Sequence, residues 1–415
     1  MIAAMRAVTV VRVLALLALT LTVEAQAPAT PSVLKIVGHT HKLLLDGDGR
    51  VFGWGDFRDG QLGPSGGSQK LDAGFSLPVA IALPDTTIGI ATAEATSYAL
   101  LANGTVMAWG RRDAGQLGNG SSGSRDGSKP FQGGTATPVR VSSLTDVIQI
   151  AAGGESALAL HKDGTVSAWG SRASGTIGDG KHPKRYGESG PPALLPVRVP
   201  GVSGVVQVST SGAHVLALTR DGRVMTWGSN HYGALGRAPR QELPIDEAGE
   251  VPNLRDVMAV AAGSGVSTAL NRDGTVWVWG ANWHGQFGNG SRTDPPGMDS
   301  GYELLPQRVP GLATVTAIAV SVEGRHTLAL LKDGSLRGWG NTDWGQIGAG
   351  ISGQFQESPV TPRITGVRTI MAAGNHSFAV RTDGSVWGWG AGGRREWPLE
   401  VNTKLPVRLA LTLPR

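Results

Sequence analysis

Residues 273–290 read DGTVWVWGANWHGQFGNG, with three tryptophans and five glycines in one short run. Val276 and Val278 fall on one side of an extended chain, and Trp277 and Trp279 on the other. Both sides are apolar, so this is a strand covered on both faces. Asp273-Gly274 stands between two apolar runs, where a two-residue type I′ hairpin turn is predicted because glycine tolerates positive φ. Gly285–Gly288 reads as a second turn closing the far end of the strand.

The run is one copy of a unit. Trp-Gly stands at one equivalent place in each of seven copies, at Trp54, Trp109, Trp169, Trp227, Trp279, Trp339 and Trp389, spaced 50 to 60 residues apart. Five positions before each tryptophan stands Gly49, Gly104, Gly164, Gly222, Gly274, Gly334 or Gly384, preceded by Asp or, in copy two, by Asn103. Upstream of each hairpin lies an apolar strand such as "DVMAVAAG", and downstream a Gly-x-apolar-Gly turn such as "GQLG". A fourth strand follows a loop of variable length, as in "PVRV" from Pro138 and Pro196, "PQRV" from Pro306 and "PVRL" from Pro406. Four strands in each of seven units predict an all-β, seven-bladed propeller of antiparallel blades. Alternating strand direction places the Asp-Gly turns and the short inter-blade links on one face, and all the long loops on the other.

The combination "AAG…S-x-A-L…DGTV-x-x-WG…G-Q-L-G" resembles the repeat of the regulator of chromosome condensation family, over about residues 33–410. The resemblance implies a seven-bladed interaction scaffold without catalysis. Its eukaryotic members include nucleotide exchange factors for a small GTPase that also bind chromatin. Secreted bacterial relatives include an inhibitor that caps β-lactamases with one propeller face. Copy seven departs from the pattern, with Arg395 where the first glycine of its turn belongs. The last strand, 406–409, either finishes its own blade or pairs into the first. The second arrangement is expected here, because it closes the ring without unpaired edges.

The N-terminus has the grammar of an export signal: Arg6 and Arg12, an apolar core Val13–Val23, then small residues to Ala25 or Ala27. Residues 1–25 are therefore expected to be removed, leaving a linker at 26–32, the propeller at 33–410 and a tail at 411–415. Eleven residues, nine of them apolar, are too few to span a bilayer, which takes ~20, so no stable membrane insertion is expected and the destination is secreted or periplasmic. Losing Arg6, Arg12 and Glu24 lowers the net charge from +5 to +4, without a basic stripe interleaved with aromatics, so nucleic acid is not an expected partner. The chain has no cysteine, which removes disulfides, thiolate metal sites and a Cys nucleophile. Gly 62 and Pro 24 against 17% charged residues fit many turns and short strands.

No HExxH or phosphate-binding glycine loop is present, and no catalytic residue, cofactor or metal is assigned. The "DGDGR" at 46–50 reads as a hairpin turn rather than a calcium loop. Thirteen residues before the tryptophan stand His41, His214, His326 and His376, read as turn-stabilising imidazoles bonded to backbone. The long loops instead carry aromatics: Phe75, Phe131, Tyr186, Tyr302 and Phe355, with Lys184 and Arg185 beside Tyr186. Trp277 is expected to fill space between blades, whereas Trp283 is unmatched in its turn and joins the loop residues as a candidate for partner binding. Two readings of these aromatics stand open: local plugs, or one protein-contact surface. The leading function is an exported monomer that binds a protein or envelope partner by its long-loop face. Alternatives are an intracellular exchange factor or chromatin binder, and a hydrolase or lyase with its site in the central channel.

Overall fold

A computed structural model describes residues 33–38, 40–66, 70–72, 75–123, 134–182, 190–237, 244–293, 302–322, 325–351, 353–392, 398–399 and 401–414. These form seven antiparallel sheets and, among the described residues, no helix. Blade five is representative: Val257–Ala262, Val266–Asn271, Val276–Ala281 and Tyr302–Arg308 pair in chain order from the axis outward. Blade one adds a short strand, Lys70–Asp72, to its outer edge. The protein is a seven-bladed β-propeller.

Seven apolar clusters hold it, one in each seam between neighbouring blades. Alternation along the third strand explains why. Val276 and Val278 enter the seam with blade six, whereas Trp279 enters the seam with blade four and Trp277 packs at its edge. All seven repeat tryptophans are fully buried, each against the preceding blade. Prolines Pro78, Pro138, Pro196, Pro306, Pro359 and Pro406 all lie in outer strands, where no further strand needs their missing N–H and where they blunt edge pairing.

Two expectations are corrected. The Asp-Gly turns are three-residue loops, not two-residue type I′ turns: Gly274 N donates to Asn271 O (3.0 Å) and Asn271 N to Thr275 O (2.9 Å). Only the glycine takes positive φ (+78° at Gly274), which is a type I turn followed by a left-handed bulge residue. Asp273 keeps the helical region and uses its carboxylate instead, accepting from Thr275 N (2.9 Å) and Thr275 Oγ1 (2.7 Å). The second correction concerns closure. The strand Thr403–Arg408 pairs with Val386–Gly390 and finishes blade seven, and Phe75–Ile81 completes blade one. The ring closes by side-chain packing: Val33, Ile36, Phe52 and Trp54 meet Met371, Phe378, Leu409 and Leu411. Blades in a propeller adhere by sheet faces, so a shared strand is not required.

In every innermost strand the register slips at the second residue, as between Val147 and Gln149. A repeated bulge of this kind re-aims one side chain per blade at the Asp-Gly end of the axis.

Candidate functional site

The face that carries the long loops is built on a rigid frame of turns. Each Gly-x-apolar-Gly turn lies over the next blade: a Cβ on Gly285 (φ +74°) would stand 2.9 Å from Glu357 Cα, and one on Gly236 (φ +66°) 2.7 Å from Trp279 Nε1. Between the glycines, the second residue's carbonyl accepts the indole N–H of the next blade, from Trp109, Trp169, Trp227, Trp279, Trp339 and Trp389, at 2.7–2.9 Å.

Three of the four histidines, His41, His214 and His326, reach across the same seams to the next blade. His214 Nε2 lies 2.8 Å from Ser267 Oγ in the next blade, and that hydroxyl donates to Ala234 O (2.7 Å), the carbonyl that also accepts Trp279 Nε1. His41 with Ser97, and His326 with Ser377, repeat the arrangement. Because the serine proton is spent on the carbonyl, the histidine Nε2 must donate, which assigns a proton to Nε2. Burial pushes the His214 pKa down to about 4.

On this frame the residue before the turn's first glycine is never buried: Asp59, Ala114, Ser174, Tyr232, His284 and Trp344 in blades one to six. Three consecutive blades place rings there. Tyr232 meets Trp283 edge to face at 4.4 Å and His231 at 4.5 Å. His284 meets Phe355 edge to face at 5.4 Å, and Arg292 lies 4.7 Å over the Phe355 ring. Arg325 donates to His284 Nε2 at 3.0 Å, and desolvation followed by this cation pushes the imidazole pKa down to about 4. Arg292 is held by Glu357 at 3.0 Å. Trp344 remains 44% exposed, unlike the fully buried repeat tryptophans. The indole N–H of Trp283 and Nδ1 of His284 are buried without hydrogen-bond partners among the described residues, an uncommon condition that marks a place not optimised for stability alone.

Of the sequence candidates, Trp283 and Phe355 join this cluster. Tyr302 is half-buried at the start of the blade-five outer strand and pairs with Ala281. Phe75, Tyr302 and Phe355 thus occupy one structural position, the first residue of an outer strand, rather than loops. The Phe75 side chain, together with Phe131, Lys184, Arg185, Tyr186 and Arg395, lies outside the described residues. Sequence reading missed Tyr232, His284 and Trp344. Their signal was the variable position before the turn glycine, which shows itself only when the copies are aligned on that turn.

The central channel is walled mainly by Ala, Gly and Val of the innermost strands, with Lys35, Gln149 and Gln207 toward the Asp-Gly end. Glu94 is the one carboxylate among its described lining residues. Glu94 and His214 share a neighbouring pocket at the mouth, but both His214 ring nitrogens are engaged, by Ser211 and Ser267, and Glu94 lies 3.5 Å from Arg111.

Comparison with known proteins falls on the same repeat. Two models of the regulator of chromosome condensation (RCC1) repeat match, one at residues 103–160, 221–270 and 273–330, the other at 147–175 and 205–234. The chain belongs to the RCC1 repeat family. Among curated RCC1 relatives it is 29% identical over 343 residues to the ultraviolet-B receptor UVR8 of Arabidopsis thaliana, covering 82% of this chain and 72% of that one. It is 28% identical over 339 residues to human E3 ubiquitin-protein ligase HERC2, covering 80% of this chain but only 6% of that protein. Among solved RCC1 propellers, Prp20p of Saccharomyces cerevisiae, studied for its binding to Gsp1p and histones, superposes with a TM-score of 0.69 at 23% identity, covering 92% of this chain and 88% of the other. At that identity the likeness speaks for the fold.

Proposed function

We propose that this RCC1 propeller is an exported scaffold, without catalysis of its own, that binds a protein or envelope partner through the turn face of blades four to six. The observation that carries the reading is the half-exposed Trp344, one blade on from the Tyr232–Trp283 and His284–Phe355 pairs, with Tyr232, His284 and Trp344 all on turns pinned to the next blade. Aromatics held rigid on a surface lose little entropy on binding and dominate interface energies. Prp20p, by its reported binding to Gsp1p and histones, is a member that holds other proteins. The N-terminal charge and apolar pattern supports export.

Affinity capture tests it. The chain without residues 1–25 is immobilised against the secreted and envelope fractions of its source organism, beside a variant with Tyr232→Ala, His284→Ala and Trp344→Ala. A partner held by this face is lost from the variant, since one hot-spot residue is worth ~2 kcal/mol, roughly 30-fold in Kd. Equal capture by both proteins removes this face from the function. Recovery of the chain with Met1 intact from cytosol removes the export reading and favours an intracellular regulator.

A further inference from the structure

Three innermost strands carry a long polar side chain at one equivalent position, just past the bulge: Lys35, Gln149 and Gln207. The glutamines serve the fold. Gln149 Nε2 donates to Val208 O (2.9 Å) while its Oε1 accepts from Val208 N (3.0 Å), and Gln207 pairs the same way with Val260 O and N, both at 3.0 Å. Each thus completes both backbone groups of the next blade.

Lys35 departs from that design. Its Nζ donates to Ile90 O at 3.1 Å, the equivalent carbonyl of blade two, but an ammonium accepts nothing and has three protons. The Ile90 N–H gains nothing from it, and two ammonium protons remain. No carboxylate forms an ion pair with Lys35 among the described residues. The side chain keeps solvent-accessible area because it lines the open channel, yet the walls crowd it enough that desolvation pulls its pKa below the usual lysine range.

The space it faces is a cavity of about 300 Å³ lined by all seven blades, at the small end of ligand pockets. Above Lys35 the wall is of short, mostly apolar side chains, with Ala91, Ala151, Ala261 and Val320 and the hydroxyls of Thr92 and Ser209 among them, and Glu94 stands at the opposite end. Below it the bulges leave Leu34, Ile88, Ile148, Val206 and Met258 exposed around the Asp-Gly mouth, on five successive blades.

We propose that the central channel is a binding site for a slim monoanionic amphiphile, an aliphatic carboxylate, whose head takes the spare protons of Lys35 and whose chain lies along the alanine and valine wall. Glu94 repels an anionic head at the far end and so fixes the orientation. This site is independent of the face assigned to a protein partner.

The test uses the chain lacking residues 1–25, with decanoate kept below micelle-forming concentrations, 1-decanol and inorganic phosphate as probes in calorimetric titration. Decanoate is expected to bind saturably, one per chain, and phosphate not to bind. Lys35→Gln, which restores the pairing that Gln149 makes, is expected to keep the thermal midpoint and weaken decanoate at least tenfold, leaving any decanol binding unchanged. Reductive methylation of Lys35, followed by peptide mass spectrometry, gives a readout on the unaltered chain, and saturating decanoate is expected to slow it. Absence of saturable decanoate binding, equal affinity in Lys35→Gln, or an unchanged methylation rate each overturns the proposal.

Discussion

His214 shows how one side chain can be read as a site and serve as a fastener. Its imidazole is fully buried, bridges Ser211 and Ser267, and sits on the same carbonyl as the Trp279 indole. Protonation would place a proton on Nδ1, which in the neutral tautomer is the acceptor facing Ser211, and would charge a group burial keeps neutral. The folded pKa of about 4 lies below the ordinary 6.5, so as pH falls the unfolded chain takes the proton first. The stabilisation is complete above pH ~6.5 and drains away as pH drops toward 4, by ~3 kcal/mol at ~1.4 per pH unit. Urea unfolding between pH 7 and 4 measures it. His214→Gln should flatten this part of the profile, and an unchanged slope would mean that the histidine titrates normally.

The hairpin shows what local sequence specifies and what it leaves open. Asp-Gly announced a turn with positive φ at glycine, and all seven glycines take it. Loop length was not legible, because both two- and three-residue hairpins use Asp-Gly. In four copies the residue after the glycine fastens the loop, since Thr275 and its counterparts Thr165, Ser335 and Ser385 donate to the aspartate from both N and Oγ, but Arg50 and Arg223 stand there in blades one and four with the same loop. The glycine also touches the inter-blade link, where a Cβ on Gly274 would meet Thr314 N at 2.7 Å. Gly274→Ala should therefore cost at least the ~1–2 kcal/mol of a left-handed non-glycine residue, read from denaturant midpoints. A cost near zero would show that the link yields freely.

Across the whole ring, the seam between blades seven and one has no shared strand and depends on apolar packing that runs beyond the last strand through Leu409 and Leu411, with Leu413 against them. Leu409 is 6% exposed and fills the space beside Gly388. Leu409→Ala should cost ~2–5 kcal/mol. Hydrogen exchange should show protection falling first in Val33–Gly38 and Val386–Gly390, which flank that seam. Uniform loss over all blades would show instead that the ring opens as one unit.

Repetition in the letters was enough to fix seven four-stranded blades, because strand alternation, Asp-Gly and Trp-Gly are local rules that each copy states again. It also placed the variable segments on one face, which follows from antiparallel direction alone. The tertiary structure decided what lies between copies: that three histidines reach the next blade's serine, that the ring closes by packing, that Tyr232 meets Trp283 and His284 meets Phe355, and that Lys35 stands in a channel with two structural glutamines. These partners lie about 50 residues or more apart in several cases and belong to different copies. Their meeting depends on how blades pack about an axis, which no single copy encodes.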